Sequence, residues 1–299
     1  MDEARWQLLL VLLTPFALAA PELVAQSDRV CHYEDPAWSP DGSQLLFAST
    51  RLGNFDVFAI RPNASDLRQL TVDTARDLEG RWAPDGRSLV FVSGRPGPSE
   101  LYLMDPDGGS VRMVSAEIGR PNAPAWSPDG RYLYYEKRVG DNRDIFRVGA
   151  GGTAQERLTF DPANDFRPAP SPDGGWVAFQ SNRSGVYQLY RMPVPGGDIA
   201  QLTHHEAHSV SPSWSPDGGA LAFMSLRDGT EEIYTLRLAD GSVDRLTSNS
   251  AAGRAPRWSP DGRRIAFLSD RSGQPGVYVM GSDGSNPSVV IKGCADTGN

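Results

Sequence analysis

Three of the four histidines in the 299-residue chain lie within one segment of five residues, His204-His205-Glu206-Ala207-His208. In an extended segment, alternate side chains point to the same side, which groups His204 and His208 with the carboxylate between them. Imidazole and carboxylate together can ligate a transition metal, so His204, His205 and His208 are candidate ligands for a divalent cation. The order of residues is not that of the His-Glu-x-x-His zinc helix. The alternative interpretation is a solvated polar loop without a metal.

The rest of the sequence offers no assembled set of catalytic side chains. It lacks the Gly-x-Ser-x-Gly motif that presents a nucleophilic serine in the α/β-hydrolases. One aspartate position recurs six times, and six copies are typical of a structural position, since a single active site needs only one. We therefore expect no catalytic residue and no cofactor, apart from the divalent cation considered above.

The recurring aspartate belongs to a unit that the chain repeats six times. Its signature is Ser-Pro-Asp-Gly, with alanine in place of serine in the second copy, and successive aspartates are 44 residues apart. The six are Asp41, Asp85, Asp129, Asp173, Asp217 and Asp261. An aromatic residue follows each of them after six residues and again after seventeen. Self-similarity at one fixed period indicates a repeat architecture.

The pattern within each unit predicts four short strands. Ser-Pro-Asp-Gly has the composition of a type I turn, in which proline sets φ at the second position and glycine ends the turn. The strand after this turn is apolar on both faces, as in Leu89-Val90-Phe91-Val92, which is expected of a sheet packed between two others. Four strands in each of six units predict an all-β, six-bladed β-propeller with a 44-residue repeat.

A tryptophan ends the strand before the turn in five of the six units. The five are Trp38, Trp82, Trp126, Trp214 and Trp258, and Pro170 takes the sixth place. We expect these tryptophans to be buried between adjacent blades. Replacing Trp126 by alanine would then cost ~3–5 kcal/mol, as for other large core residues.

The repeated Ser-Pro-Asp-Gly, Ser-x-Arg-x-Gly, Ile-Tyr and Leu-Thr elements resemble those of the TolB-type propeller family over residues 36–292. The resemblance implies a ring of WD-like blades. It also implies several roles, because propellers of this type occur in the Tol–Pal envelope system, ahead of the catalytic domain of prolyl-oligopeptidase-like enzymes, and as stand-alone secreted proteins. The α/β domain that precedes the propeller in TolB has no counterpart in the sequence given.

Positions that differ from blade to blade are where function is expected, because the fold does not require them. The linkers between blades bring two such positions to one mouth of the predicted channel, twelve and eight residues before the turn aspartate. They carry the carboxylates Asp73, Asp77, Glu117, Asp161 and Asp165. A rim of this kind could bind a cation or a basic segment of a partner. The alternative is a set of solvated Asx turns.

The only two cysteines flank the predicted ring, Cys31 ahead of the first blade and Cys294 behind the last. Six steps of 44 residues carry Cys31 to position 295, so a closed ring brings the two cysteines together. The sixth unit has its own fourth strand, Val289-Val290-Ile291, and the ring therefore needs a clasp other than a shared strand. We predict a Cys31–Cys294 disulfide, with two unpaired thiols as the alternative.

The N-terminus has the pattern of an export signal. The apolar run from Trp6 to Ala20 would form a helix of ~22 Å, short of the ~30 Å hydrocarbon core of a bilayer, and Ala17-Leu18-Ala19 fits a cleavage site. The predicted organisation is a signal peptide at 1–19, an extension at 20–35, the propeller at 36–292 and a tail at 293–299. We expect a periplasmic or secreted protein with no membrane span after cleavage.

The net charge of −8 argues against a nucleic-acid partner, because general phosphate-backbone binders are basic. Our leading hypothesis is an exported, monomeric, non-enzymatic propeller that binds a protein or peptide at the channel mouth. Two alternatives stay open: a lyase or hydrolase that uses a metal near His204, His205 and His208, and a TolB-like envelope component.

Overall fold

The computed structural model describes residues 30–95, 97–115, 118–248 and 251–294, and every helix or strand element in these ranges is a β-strand. The predicted signal peptide lies outside the described residues, as do positions 20–29 of the predicted extension. The strands begin at Tyr33 and end at Lys292.

The 24 strands form six sheets of four consecutive strands each. Blade 1 contains β1 (Tyr33–Trp38), β2 (Leu45–Ser49), β3 (Asp56–Ile60) and β4 (Arg68–Gln69). Blade 2 contains β5 (Asp77–Trp82), β6 (Leu89–Ser93), β7 (Glu100–Met104) and β8 (Arg112–Met113). Blade 3 contains β9 (Asn122–Trp126), β10 (Tyr132–Val139), β11 (Asn142–Gly149) and β12 (Glu156–Arg157). Blade 4 contains β13 (Asp165–Pro170), β14 (Trp176–Ser181), β15 (Gln188–Pro193) and β16 (Ala200–Gln201). Blade 5 contains β17 (Ser209–Trp214), β18 (Ala220–Ser225), β19 (Glu232–Arg237) and β20 (Val243–Arg245). Blade 6 contains β21 (Gly253–Trp258), β22 (Arg264–Ser269), β23 (Gly276–Gly281) and β24 (Ser288–Lys292).

Neighbouring strands within each blade are antiparallel, and the first strand of each blade is the innermost. The six inner strands, β1, β5, β9, β13, β17 and β21, each contact the inner strands of the two adjacent blades. Contact between β1 and β21 closes the ring. The structure thus confirms the predicted six-bladed β-propeller.

The Ser-Pro-Asp-Gly segments form the turn between the first and second strands of every blade. In blade 1 the Gly42 amide donates to the Ser39 carbonyl at 2.9 Å, and φ of Gly42 is 71°, where glycine is favoured. The Asp41 carboxylate accepts hydrogen bonds from the Ser39 hydroxyl and the Ser43 amide. These bonds, the Ser39 bond first, lower the pKa of Asp41. The aspartate is therefore a turn residue, as six copies of it suggested.

The two aromatic residues of each repeat face each other across the second and third strands. The pairs are Phe47–Phe58, Phe91–Tyr102, Tyr135–Phe146, Phe179–Tyr190, Phe223–Tyr234 and Phe267–Tyr278, with ring centroids 5.6 to 6.0 Å apart. Packed aromatic pairs of this kind bury large areas and add a geometric preference of their own. Each blade thus contributes the same aromatic unit to the core.

A cation covers every one of these aromatic pairs at a distance of 4.7 to 5.9 Å from a ring centroid. The cations are Arg51, Arg95, Lys137, Arg183, Arg227 and Arg271. The arginine of the Ser-x-Arg-x-Gly element therefore has a structural role through cation–π contact. Lys137 replaces it in blade 3 and makes the same type of contact.

A disulfide joins the two ends of the propeller. Cys31 and Cys294 are bonded, with their Cα atoms 5.3 Å apart. Blade 6 keeps its own outer strand, since β24 pairs with β23, so no strand is shared between the chain ends. The Tyr33 hydroxyl also donates to the Gly293 carbonyl beside the disulfide. The predicted clasp is confirmed.

Candidate functional site

All six inner strands carry a bulge at the same place, which turns side chains towards the ring axis. The bulged residues are 44 positions apart and have φ between 47° and 59°: Asp35, Glu79, Ala123, Arg167, Ser211 and Ala255. Pairing with the second strand is irregular at this point in every blade. Non-glycine residues are uncommon in this left-handed region, and bulges often redirect a side chain at a functional site.

Asp35 lies at the centre of the ring, where its carboxylate contacts the guanidinium groups of three arginines from three other blades. Its Oδ1 is 2.7 Å from Nη1 of Arg167, 3.5 Å from Nη2 of Arg81 and 3.7 Å from Nη2 of Arg257. The carboxylate is 3% exposed. Burial alone would raise the pKa of Asp35, but the charges of Arg167, Arg81 and Arg257 outweigh it and hold that pKa below its usual range.

Two further acids complete this central ion cluster. Glu79 Oε2 accepts the backbone amide of Ala123 at 2.6 Å, and Glu136 Oε2 accepts that of Arg167 at 2.9 Å. Burial, together with the neighbouring charge of Asp35, raises the pKa of Glu79 to about 7. Burial also raises the pKa of Glu136. The acids thus stabilise backbone amides exposed by the bulges and oppose the arginine charges.

The ion cluster separates two cavities at opposite ends of the channel. The cavity on the turn side has a volume of about 390 Å³, and the cavity on the linker side has about 610 Å³. Arg167 lines both cavities, while Asp35 lines the linker side. The Arg167–Asp35 ion pair therefore forms the floor of the turn-side cavity.

Tryptophans and prolines encircle the turn-side cavity, and all six blades contribute. The tryptophans are Trp38, Trp82, Trp126, Trp214 and Trp258, and the turn prolines are Pro84, Pro128, Pro172, Pro216 and Pro260. We call this set the tryptophan collar. Trp38 and Trp214 are buried, and their indole nitrogens donate to the carbonyls of Arg257 and Ala169 in the preceding blade. Among the described residues that line the cavity, the only charged ones are Arg81, Arg167 and Arg257.

The sequence matches the family model described as the TolB beta propeller domain at residues 17–122, 113–211 and 201–295. The chain belongs to this family. A protein from Agrobacterium tumefaciens assigned to TolB is 25% identical, with a TM-score of 0.70 over 78% of this chain and 87% of that one. TolB from Acinetobacter baumannii is 21% identical, with a TM-score of 0.69, and this chain covers 61% of its length. An oligogalacturonate lyase in complex with manganese shares the fold at 20% identity, a TM-score of 0.62, and coverage of 88% and 78%. No curated protein matches the sequence.

Two of the rim carboxylates predicted from sequence are buried inside this TolB-family propeller. Asp77 and Asp165 are both 0% exposed, and each pairs with the repeated arginine of its own blade, Arg95 and Arg183 respectively. Arg183 Nη2 lies 3.0 Å from both oxygens of Asp165. Both aspartates thus contact an arginine that follows the second strand of their own blade, and a role of theirs in partner binding stays a prediction.

Two of the other rim carboxylates hold turns of the linkers. Asp73 and Asp161 accept the backbone amides of Ala75 and Ala163, each at 2.8 Å, as expected of Asx turns. Glu117 lies outside the described residues. Among the described residues, Asp73, Asp77, Asp161 and Asp165 do not belong to any group of three side chains that could hold a metal ion.

The histidine segment lies in the linker between blades 4 and 5. His205 Nδ1 accepts the amide of Ala207 at 3.0 Å, and His208 Nδ1 accepts that of Tyr187 at 3.1 Å. His204 and His205 are exposed to solvent. Across the described parts of the chain, no three histidine, cysteine, aspartate or glutamate side chains are grouped so that they could hold a metal ion. Nδ1 of His205 and of His208 is thus used in a hydrogen bond to the backbone, and metal binding by His204, His205 and His208 stays a prediction.

Sequence reasoning missed the residues of the ion cluster. The column that contains Asp35, Glu79 and Arg167, and the column of Arg81 and Arg257, both vary between blades. The two columns lie three residues and one residue before the tryptophan position, whereas the candidate rim carboxylates lie eight and twelve residues before the turn aspartate. Comparing charge along every column of the repeat would have found them.

Proposed function

We propose that this protein is a non-enzymatic binding module that takes a peptide segment of a partner protein into the turn-side cavity. The observation that carries the proposal is the tryptophan collar, an aromatic and proline lining contributed by all six blades. Tryptophan is enriched where proteins bind one another, because it buries a large apolar area. Grooves lined by aromatic residues are a common solution for binding extended peptides.

The size and construction of the cavity support a peptide ligand. Its volume of about 390 Å³ falls in the range of ~300–1,000 Å³ that is usual for ligand pockets. Its walls are ends of strands and tight turns, held by the hydrogen bonds of the Ser-Pro-Asp-Gly segments. A site preformed in this way loses little conformational entropy on binding.

We also propose that the protein works outside the cytoplasm, in the periplasm or cell envelope. The Cys31–Cys294 disulfide supports this location, because structural disulfides persist in oxidising compartments. Membership of the TolB propeller family supports a role as an envelope component. In the described residues, no helix is both long and apolar enough to cross a membrane.

Selection from a library of linear peptides, followed by affinity measurement with collar variants, tests the function. We expect Trp126→Ala to lower the affinity for the selected peptides by ~10-fold or more, equivalent to about 1.4 kcal/mol, because stacking on the indole is lost. Trp176→Ala is the matched control, since Trp176 packs under Arg191, is equally half-buried and does not line the cavity. Equal losses in both variants, or no peptide enriched over a surface without the protein, would contradict the proposal.

A further inference from the structure

The floor of the turn-side cavity is unusually one-sided in charge. Arg81, Arg167 and Arg257 face the cavity, and among its described lining residues there is no carboxylate. Asp35, their shared partner, lines the opposite cavity and so sits behind them as seen from the turn side. A ligand that enters from the turn side therefore meets three guanidinium groups first.

The contacts of these arginines leave cationic donors for a ligand. Arg81 and Arg257 each use Nη1 to hold a carbonyl of their own strand, Gly80 and Pro256, at 2.9 Å. Their Nη2 atoms are 3.5 and 3.7 Å from Asp35, beyond the distance of a good hydrogen bond. Only Arg167, at 2.7 Å, bonds to that carboxylate directly. The strand carbonyls thus orient two guanidinium groups whose charge Asp35 satisfies incompletely.

Burial and the neighbouring arginines make the positive charge of Arg257 costly in the folded protein. Burial, followed by the charge of Arg81, lowers the pKa of Arg257 to about 9. A pKa below the usual arginine range means that the folded protein disfavours the charged form at this position. An anion placed on the cavity side would offset that cost, and carboxylates suit the planar fork of arginine because both oxygens can accept hydrogen bonds.

The floor of the cavity decides which part of a peptide reaches the arginines. The Arg167–Asp35 pair lies between the two cavities, so an extended chain that enters the collar end first brings that end to the arginines. A chain end carries either an ammonium or a carboxylate group. The three arginines line the cavity and the acids of the ion cluster do not, so the arginines lie nearer to the ligand than the acids do, repel an ammonium group and attract a carboxylate.

We propose that the turn-side cavity recognises the free C-terminal carboxylate of an extended peptide, with Arg81, Arg167 and Arg257 as its binding groups and the tryptophan collar around the preceding residues. The inference rests on the proposed peptide-binding function and adds the chemical identity of the recognised group.

Two synthetic peptide libraries of the same sequences, one with free C-terminal acids and one with C-terminal amides, test the inference on the wild-type protein. We expect enrichment from the acid library, and we expect each selected peptide to bind ~10-fold or more tightly as the acid than as the amide in calorimetric titration. Equal affinity of acid and amide overturns the carboxylate proposal and leaves the peptide-binding function standing. No enrichment from either library overturns both.

An arginine variant tests which side chains of the protein bind the peptide carboxylate. Arg257→Gln should lower the acid-to-amide ratio, because it removes one of the two guanidinium groups that are not hydrogen-bonded to the Asp35 carboxylate. Arg191→Gln is the control, since Arg191 packs on Trp176 away from the cavity. Thermal unfolding establishes that each variant is folded, and Arg81→Gln replaces Arg257→Gln should the latter not fold. An amidated peptide with a glutamate as its last residue that binds as tightly as the acid would also overturn recognition of the chain end.

Discussion

Glu79 is a buried carboxyl group whose pKa lies near neutrality. Burial is the main cause, the charge of Asp35 adds to it, and together they raise the pKa from 4.5 to about 7. The carboxyl oxygen is not isolated, because it accepts the Ala123 amide at the bulge of blade 3. The ion cluster contains three arginines and acids whose pKa values differ, and protonation of Glu79 makes the net charge of the cluster more positive.

The stability of the protein should therefore decrease as pH rises from about 5 to 8. The folded state retains a proton on Glu79 that the unfolded chain releases near pH 4.5, so rising pH favours unfolding until about pH 7. The contribution is at most ~3 kcal/mol. Glu79→Gln removes the titrating group, while the glutamine side-chain oxygen can still accept a hydrogen bond from the Ala123 amide. The free energy of unfolding in urea should therefore change less between pH 5 and pH 8 in this variant than in the wild type.

Glu156→Gln is the control for this experiment. Glu156 pairs with Arg147 near the outside of blade 3, and its side chain is 48% exposed. Its profile should follow the wild type. A Glu79→Gln profile parallel to that of the wild type would show that Glu79 does not titrate between these pH values.

At the scale of the strands, the second and third strands of a blade make the core and the first strand makes the site. Phe179 on β14 pairs with Tyr190 on β15 and is 0% exposed, whereas Trp126 at the end of β9 is half-buried and lines the cavity. The sequence predicted the core residues correctly, because their spacing from the turn aspartate is the same in all six units. The predicted burial of the tryptophans between blades is confirmed for Trp38 and Trp214. Trp82, Trp126 and Trp258 also pack against core clusters between two blades, but they are only half-buried because they line the cavity as well.

Phe179→Ala should destabilise the protein by ~3–5 kcal/mol, the usual cost of removing a large core side chain. Trp126→Ala should cost less, ~1–2 kcal/mol, because part of the indole is already in contact with solvent. Denaturant unfolding of both variants measures the difference. A loss for Trp126→Ala as large as that for Phe179→Ala would mean that the indole is a core residue and not a ligand contact.

At the scale of the whole molecule, the ring brings together residues that no local pattern connects. Asp35 and Arg167 are 132 residues apart in the chain and bond across the channel. The period of 44 residues was sufficient to predict the propeller and its closure, because every blade repeats the same signals. It could not predict the ion cluster, because its six charged residues come from five blades and do not repeat with the period.

The disulfide is a second long-range connection, and removing it should destabilise the ring. Cys31 and Cys294 are separated by 263 residues, so the bond restricts the unfolded chain strongly. The chain-entropy model gives ~5 kcal/mol as a ceiling, and measured disulfides more often contribute ~2–4 kcal/mol. We expect a Cys31→Ala/Cys294→Ala variant to lose stability in this range while retaining the contact of β1 with β21 that closes the ring.

Denaturant unfolding with and without reductant measures the loss. Reductant should destabilise the wild type and leave the double variant unchanged. Two free thiols in the denatured, unreduced wild type would contradict the disulfide, and an unchanged free energy of unfolding would mean that strand contacts alone hold blades 1 and 6 together.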